Sequence, residues 1–75
     1  MQNIKDEKYL KEIGARIRSI REGKNLTQVE LGVMCNNYGE QIGRIERGKF
    51  NVTVCTLKVI AEALGVKVSD LVDPI

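Results

Sequence analysis

The 75-residue sequence contains no histidine, and aromatic side chains make up only 4% of it. Its two cysteines, Cys35 and Cys55, do not form a Cys-x-x-Cys pair. Without such a pair or a histidine, neither a zinc site nor a disulfide framework is supported, and no metal is expected. Both cysteines are therefore predicted to be small buried apolar residues in a reducing compartment.

Residues suited to catalysis are also scarce. The chain has no histidine, no glycine-rich phosphate cradle after a strand and no paired carboxylates in a plausible cleft. General acid–base, nucleophilic and metal-assisted chemistry therefore lack the groups through which they act. The sequence does not predict an enzyme, and neither a cofactor nor a small-molecule ligand is expected.

Long apolar runs are absent as well. No stretch approaches the roughly 20 apolar residues that span a bilayer. The apolar run after Met1 that a signal peptide requires is also missing. The protein is therefore expected in the cytoplasm, without a membrane partner.

What the chain does contain is a helical pattern of aliphatic side chains. Ile, Leu and Val recur every three or four positions with charged residues between them, which is typical of amphipathic helices. Turn and capping residues divide this pattern into five helices, expected at residues 6–24, 27–35, 38–47, 53–65 and 69–72. The chain, residues 1–75, is therefore predicted to form one all-α domain of five helices.

Local signals mark several helix ends. Asn25 is of a residue type that tolerates a left-handed C-cap, and Asn36-Asn37 is a turn signal. Thr27 followed three residues later by Glu30 forms a capping box at the start of the second helix. Ser69 is expected to cap the fifth helix.

The segment from Thr27 to Gly48 carries the functional signal. Two helices of about eight residues joined by a four-residue turn must approach each other closely at a steep angle. Gly32 supplies a small residue where another helix packs, although an isolated glycine inside a helix costs about 1 kcal/mol relative to alanine. The spacing alone predicts either a helix-turn-helix or a generic helical hairpin.

Residues in and around this segment match a family pattern. The matching residues are Ile17-Arg18, Arg21, Leu26-Thr27-Gln28, Glu30-Leu31, Ile42, Arg44 to Lys49, Leu57, Ala61, Ala63 to Val66 and Ser69 to Leu71. The pattern covers roughly residues 13–72 and resembles the Cro and lambda-repressor-like helix-turn-helix family of bacterial and phage regulators. The resemblance implies a five-helix domain that binds double-stranded operator DNA as a homodimer, with its third helix in the major groove.

The chain departs from the family pattern at two positions. Gly32 stands where alanine is usual, which keeps the small size. Tyr38 stands where a short capping residue is usual, and Asn37 with Glu40 forms an alternative capping pair. The third helix is therefore expected to begin at one of two neighbouring residues.

The resemblance implies DNA contacts from the second helix, the third helix and the segment that follows. The implied contact residues are Thr27, Gln28, Tyr38, Gly39, Glu40, Gln41, Arg44, Arg47, Lys49 and Asn51. Arg44 is the leading base reader, because its guanidinium reaches guanine O6 and N7 as a bidentate fork, and a phosphate contact is the alternative. Glu40 either accepts from cytosine N4 or caps the helix, and Gln41 reaches adenine or a backbone oxygen.

Phosphate contacts are implied for Gln28, in the first turn of the second helix, and for Arg47, Lys49 and Asn51 at the end of the third. Arg47 alternatively complements the negative C-terminal end of its helix. Tyr38 either stacks on a thymine methyl group or binds a phosphate. The glycines of the third helix are expected on its outward face, where they let the helix lie deep in the groove.

Two further sets of residues have structural or assembly roles. The resemblance pairs Arg21 with Glu46 in a largely buried salt bridge. The C-terminal third is more apolar than two short helices can bury alone. Its apolar residues are Val66, Val68, Leu71, Val72 and Ile75. A homodimer interface is the predicted use of this set, with burial inside the monomer as the alternative.

Charge is distributed unevenly along the chain. Residues 1–50 carry ten basic and seven acidic groups, and all five arginines fall between Arg16 and Arg47. This bias suits DNA phosphates, although ordinary solvated charge also accounts for it. The sequence therefore predicts a sequence-specific transcriptional regulator, a repressor or autoregulator rather than an activator. The alternative is an antitoxin or adaptor with the same fold, whose main partner is another protein.

Overall fold

The computed structural model describes residues 4–36 and 39–73, which form five helices and no strand within those ranges. The helices are α1 (Glu7–Gly23), α2 (Gln28–Met34), α3 (Gly39–Glu46), α4 (Val54–Leu64) and α5 (Val68–Val72). The predicted all-α fold and the order of its five helices are confirmed. No helix in the described part of the chain is long and apolar enough to cross a membrane.

The core is built from aliphatic side chains, one stripe from each helix. Its fully buried members are Ile17, Leu31, Ile42, Ile60, Leu64 and Leu71. α3 packs against α2 and α1, while α4 packs against α2 and α5. Because burying one such side chain contributes about 1.5–3 kcal/mol, this set compensates for the scarcity of aromatic residues.

The predicted capping box opens α2. The Thr27 hydroxyl accepts the backbone N–H of Glu30 at 3.0 Å, and the Glu30 carboxylate accepts that of Thr27 at 2.8 Å. Thr53 caps α4 by accepting the Thr56 backbone N–H at 3.1 Å, and Asp6 caps α1. These caps satisfy backbone donors that have no partner inside their own helices.

The predicted cap of α5 is wrong. The helix begins at Val68, and its N-cap residue is Lys67 rather than Ser69. The Asp70 carboxylate reaches back to accept the Lys67 backbone N–H at 2.9 Å. The acidic residue therefore fixes this helix start, and Ser69 lies inside the first turn.

Left-handed residues follow the first two helices. Asn25 has φ 59°, and the Leu26 backbone N–H donates to the Arg21 carbonyl at 3.1 Å, as in a Schellman motif. Asn25 therefore confirms the predicted stop of α1. Asn36 has φ 65° and turns the chain after α2, while its predicted turn partner Asn37 lies outside the described residues.

The two cysteines differ. Cys35 is buried in the core, and this burial raises the pKa of its thiol. Cys55 is exposed, so the prediction that both cysteines are buried is wrong for this one. It precedes Leu57 by two positions on α4, which places it about 200° around the helix from that buried side chain.

A glycine permits the contact between α1 and α3. A Cβ atom on Gly14 would lie 2.4 Å from the Ile45 carbonyl oxygen and 2.5 Å from that of Glu46. Both neighbours are backbone atoms, so neither moves aside by changing rotamer. Gly14 thus sets how closely α1 approaches the C-terminal end of α3.

Replacing Gly14 with alanine is expected to destabilise the fold. The added methyl group forces α1 away from α3, and overpacking of this kind costs about 1–3 kcal/mol. Urea denaturation measures the loss as a fall in the free energy of unfolding. Gly23→Ala is the matched control, because a Cβ there meets nothing within 4 Å. The control should lose no stability, and equal stabilities for the two variants would contradict the packing role of Gly14.

Candidate nucleic-acid interface

The helix pair α2 and α3 is joined by residues 35–38, and the two helices pack closely on each other. Gly32 is buried in the middle of α2, as expected of a small residue at a helix contact. Ile42 and Ile45 on α3 are also buried, so one side of this helix faces the core. This arrangement is a helix-turn-helix.

A buried ion pair joins α1 to α3. The Arg21 guanidinium donates to both Glu46 carboxylate oxygens, from Nε at 2.6 Å and from Nη2 at 3.0 Å. Only 8% of the arginine side chain and 2% of the glutamate side chain are exposed. The structure thus pairs the two residues that the family resemblance pairs.

Further hydrogen bonds complete this cluster. The Arg21 Nη1 donates to the Leu26 carbonyl oxygen at 2.7 Å, which ties the loop before α2 to the same guanidinium. The hydrogen bond to Glu46 is the main reason that the pKa of Arg21 lies above its usual value. Among the described residues, no buried side-chain nitrogen or oxygen lacks a hydrogen-bond partner. The pair therefore has the compensation that buried charges require.

Gln28 joins the cluster from α2. Its Nε2 donates to Glu46 Oε1 at 3.1 Å, and its side chain is half-buried. The side chain lies over Gly43, where a Cβ would be 3.2 Å from Gln28 Oε1 and 3.2 Å from Arg47 Nη1. Gly43 is therefore buried beneath two side chains, and its predicted place on the outward face of α3 is wrong.

The exposed side of α3 is cationic. Arg44, Arg47 and Lys49 are all exposed at or just beyond the end of the helix. Gly48 turns the chain there with φ 71°, and the Lys49 backbone N–H donates to the Arg44 carbonyl at 2.9 Å. The three cations thus lie around one helix end whose other side is buried.

A comparison with protein-family models identifies this arrangement. Residues 17–71 match the model described as helix-turn-helix (HTH_3). The chain belongs to this family. Its members are DNA-binding transcriptional regulators and not enzymes, in agreement with the predictions from sequence.

Named relatives support the family assignment. The immunity repressor protein of Bacillus phage phi105 is 40% identical over 60 residues, which are 80% of this chain and 42% of that protein. Control protein C.BamHI of Bacillus amyloliquefaciens is 39% identical over 61 residues, 80% of this chain and 75% of that one. The aligned region is thus less than half of the first relative and three-quarters of the second.

A solved structure shares the fold. The restriction-modification controller protein C.AhdI from Aeromonas hydrophila superposes with a TM-score of 0.80 at 31% identity. The superposition covers 83% of this chain and 94% of that one.

The structure distributes the predicted DNA-contact residues over several environments. Thr27 is exposed, and its hydroxyl serves as a cap. Gln41 is half-buried and lines an open groove of about 350 Å³ together with Phe50 and Ile60. The Asn51 side-chain amide donates to the Ile4 carbonyl at 3.0 Å. Asn51 therefore ties the N-terminal segment to the loop after α3, and its phosphate contact stays a prediction.

Two other predicted contact residues, Gly39 and Glu40, lie at the start of α3. Gly39 is the first residue of the helix and Glu40 the second, although the Glu40 side chain is not among those described. Tyr38 lies outside the described residues, together with the alternative cap Asn37. The predicted roles of this first turn stay predictions.

The predicted dimer residues are divided between core and surface. Leu71 is fully buried in the protomer, so the structure assigns it to the core rather than to an interface. Val66, Val68 and Val72 are half-buried against that core. Ile75 lies outside the described residues.

Sequence reasoning missed the roles of Gly14 and Gly43. Both glycines interrupt helical patterns, which was the available signal, because an isolated glycine in a helix often marks a close approach.

Sequence reasoning also missed the hydrogen bonds between α1 and the end of α5. The Tyr9 hydroxyl donates to the Val72 carbonyl at 3.1 Å, and the Arg16 guanidinium donates to that of Asp73.

Removing the charge of Glu46 is expected to destabilise the fold strongly. Glu46→Gln leaves the buried Arg21 guanidinium with only the exposed Glu22 carboxylate, 3.9 Å away, as a counter-ion, and breaking a buried pair costs about 3–5 kcal/mol. The free energy of unfolding, from urea denaturation, measures this loss. Glu22→Gln is the matched control, since Glu22 pairs with Arg18 at 3.2 Å and with Arg21 at 3.9 Å through a side chain that is more than half exposed. That control should lose only about 0–1 kcal/mol. A similarly small loss for Glu46→Gln would contradict the structural role of the pair.

Proposed function

We propose that this protein is a sequence-specific repressor or autoregulator that binds a palindromic operator in double-stranded DNA as a homodimer. The observation that carries the proposal is the two-sided character of α3. Ile42, Ile45 and Glu46 anchor the helix to the fold, while Arg44 projects to solvent on the other side. The major groove of B-DNA admits one α-helix, and such a helix reads it with exposed polar side chains.

Base reading is assigned first to Arg44. Its guanidinium is exposed, and two parallel N–H groups match guanine O6 and N7 in the major groove. Glu40 and Gln41 belong to the same helix and are proposed to assist. Thr27, Arg47, Lys49 and Asn51 surround this region in the proposed complex and contact phosphates, which position a protein without specifying sequence.

The names of similar proteins support the regulatory role. One is an immunity repressor, another is a control protein, and a similar solved structure is that of a restriction-modification controller protein. A protein of this size that binds near its own promoter represses by occupying DNA that polymerase needs. Control by its own concentration then follows from its dimerisation equilibrium.

The proposed dimer uses the apolar C-terminal region. Val68 and Val72 line an open groove of about 380 Å³, which Val54 borders with 73% of its surface exposed. A two-fold symmetric dimer presents two copies of α3 to two half-sites of a palindrome. Because Leu71 belongs to the core, the half-buried valines and Val54 form the surface offered to the partner.

Replacing Arg44 with alanine tests base reading. Affinity for a duplex taken from upstream of the gene should fall by about 1–3 kcal/mol, with relaxed preference at one base-pair position per half-site. Binding titrations against that duplex and its single-base variants measure both effects. An equal loss for all duplexes would instead assign Arg44 to a phosphate and contradict its base-reading role.

Replacing Val68 with glutamate tests the dimer. A charge at the interface should raise the dimer dissociation constant by about tenfold or more, equivalent to ~1.4 kcal/mol. Sedimentation equilibrium measures the constant, and circular dichroism verifies that the variant is folded. Val33→Glu is the matched control, because Val33 lies on α2 with 60% of its surface exposed. The proposed interface is rejected if both variants dimerise equally well, or if the unaltered chain is monomeric at high concentration.

A further inference from the structure

The most informative unassigned feature is the space above Gly43. Two side chains from different helices converge there, Gln28 from α2 and Arg47 from the end of α3. Each places a polar atom 3.2 Å from the point that a Cβ on Gly43 would occupy. A larger residue would force both side chains to shift, so the glycine leaves room for them to meet.

The orientation of the Gln28 amide is set by Glu46. A carboxylate in an ion pair only accepts hydrogen bonds, so the amide nitrogen must face it, as the 3.1 Å bond to Glu46 Oε1 shows. The amide oxygen then points to the other side, over Gly43, and the Arg47 Nη1 lies above the same glycine. Since Glu46 is itself fixed by Arg21, this oxygen is held in place by a buried cluster.

Arg47 is the exposed member of this arrangement. Its guanidinium carries five N–H donors, more than one phosphate uses. Because both atoms lie 3.2 Å from the same point, an Arg47 rotamer that brings Nη1 to this fixed carbonyl oxygen would occupy one edge of the guanidinium and leave the other edge for a ligand. Because an exposed arginine otherwise samples many rotamers, such a fixed neighbour lowers the entropy cost of binding.

We propose that Gln28 is a positioning residue that orients Arg47 toward a DNA backbone phosphate. In this proposal, the missing side chain of Gly43 leaves the space in which Gln28 and Arg47 come together. The proposal rests on the proposed DNA-binding function and deepens it. It differs from the direct phosphate contact that the sequence predicts for Gln28. The half-buried side chain has its amide nitrogen directed at Glu46, whereas the Arg47 cation is exposed.

The experiment is a double-mutant cycle on DNA binding, read as a function of salt. Two probes are used, a duplex of about 30 bp from upstream of the gene and a duplex of unrelated sequence. Both are informative because phosphate contacts contribute to the binding of either duplex. Arg47→Ala should remove one phosphate contact. Because the proposed dimer loses this contact in both protomers, the Kd of the unaltered dimer should rise about twelvefold more than that of the variant dimer between about 50 and 200 mM salt.

Gln28→Ala should reproduce this reduced salt dependence, and it should cause no further loss when added to Arg47→Ala. Lys49→Ala is the matched control, because Lys49 is an exposed cation at the same helix end that does not border the space above Gly43. Losses from Gln28→Ala and Lys49→Ala should multiply.

Gly43→Ala provides a second variant, which displaces both side chains by a few tenths of an ångström and should also lose its effect in the Arg47→Ala background.

Several outcomes would overturn the proposal. If Gln28→Ala weakens binding by the same factor with and without Arg47, then Gln28 either contacts a phosphate itself or acts only on stability. If Arg47→Ala leaves the salt dependence unchanged, then Arg47 contacts no phosphate. If the unaltered chain binds neither duplex, the proposed function fails as well, and that result is distinct from the two before it.

Discussion

The buried pair of Arg21 and Glu46 is the interaction on which the arrangement of the helix-turn-helix depends. Charges removed from water are costly unless each hydrogen-bonding group finds a partner. Here the partners come from three parts of the chain, because the guanidinium also binds the Leu26 carbonyl and the carboxylate also binds Gln28. Satisfying this one cluster therefore brings the end of α1, the start of α2 and the end of α3 to fixed positions. A bidentate arginine fork adds direction to the attraction, which fixes the orientation of α3 as well as its distance.

Two glycines make the same cluster possible, because neither has a side chain to occupy the space that the cluster needs. Gly14 allows the backbone of α1 to reach the carbonyls of Ile45 and Glu46, and Gly43 allows Gln28 to reach across α3. Both contacts involve the inner side of α3 and leave the exposed position of Arg44 outside the packing. The physical consequence is a separation of roles within one eight-residue helix. Substitutions on its outer side are expected to alter the proposed DNA recognition with little effect on the fold, whereas substitutions on its inner side are expected to alter the fold first.

The features that the residue pattern alone predicts correctly are those set by nearby residues, whereas the distant pair of Arg21 and Glu46 is implied by the family resemblance. The capping box of Thr27 and the left-handed Asn25 involve partners within a few positions, so the local pattern contains all of the information. Helical periodicity likewise predicts the buried Ile42 and Ile45. The same periodicity fails at Gly43, because the pattern within α3 assigns this position to solvent, whereas the Gln28 side chain from α2 covers it. The tie between Asn51 and Ile4 escapes prediction for a similar reason, since 47 positions separate the two residues.

The helix α1 links the proposed reading surface to the proposed dimer surface. Gly14 near its middle and Arg21 in its last turn contact α3, and Tyr9 in its first turn binds the last turn of α5. A regulator that reads a palindrome needs its two recognition helices about 34 Å apart, one turn of DNA, and this separation depends on how each α3 is placed relative to the two-fold axis. If the axis lies at α5, the rigidity of α1 determines that placement. Half-site spacing would then be a property of the protomer's own packing, with the dimer contacts setting only the angle between the halves.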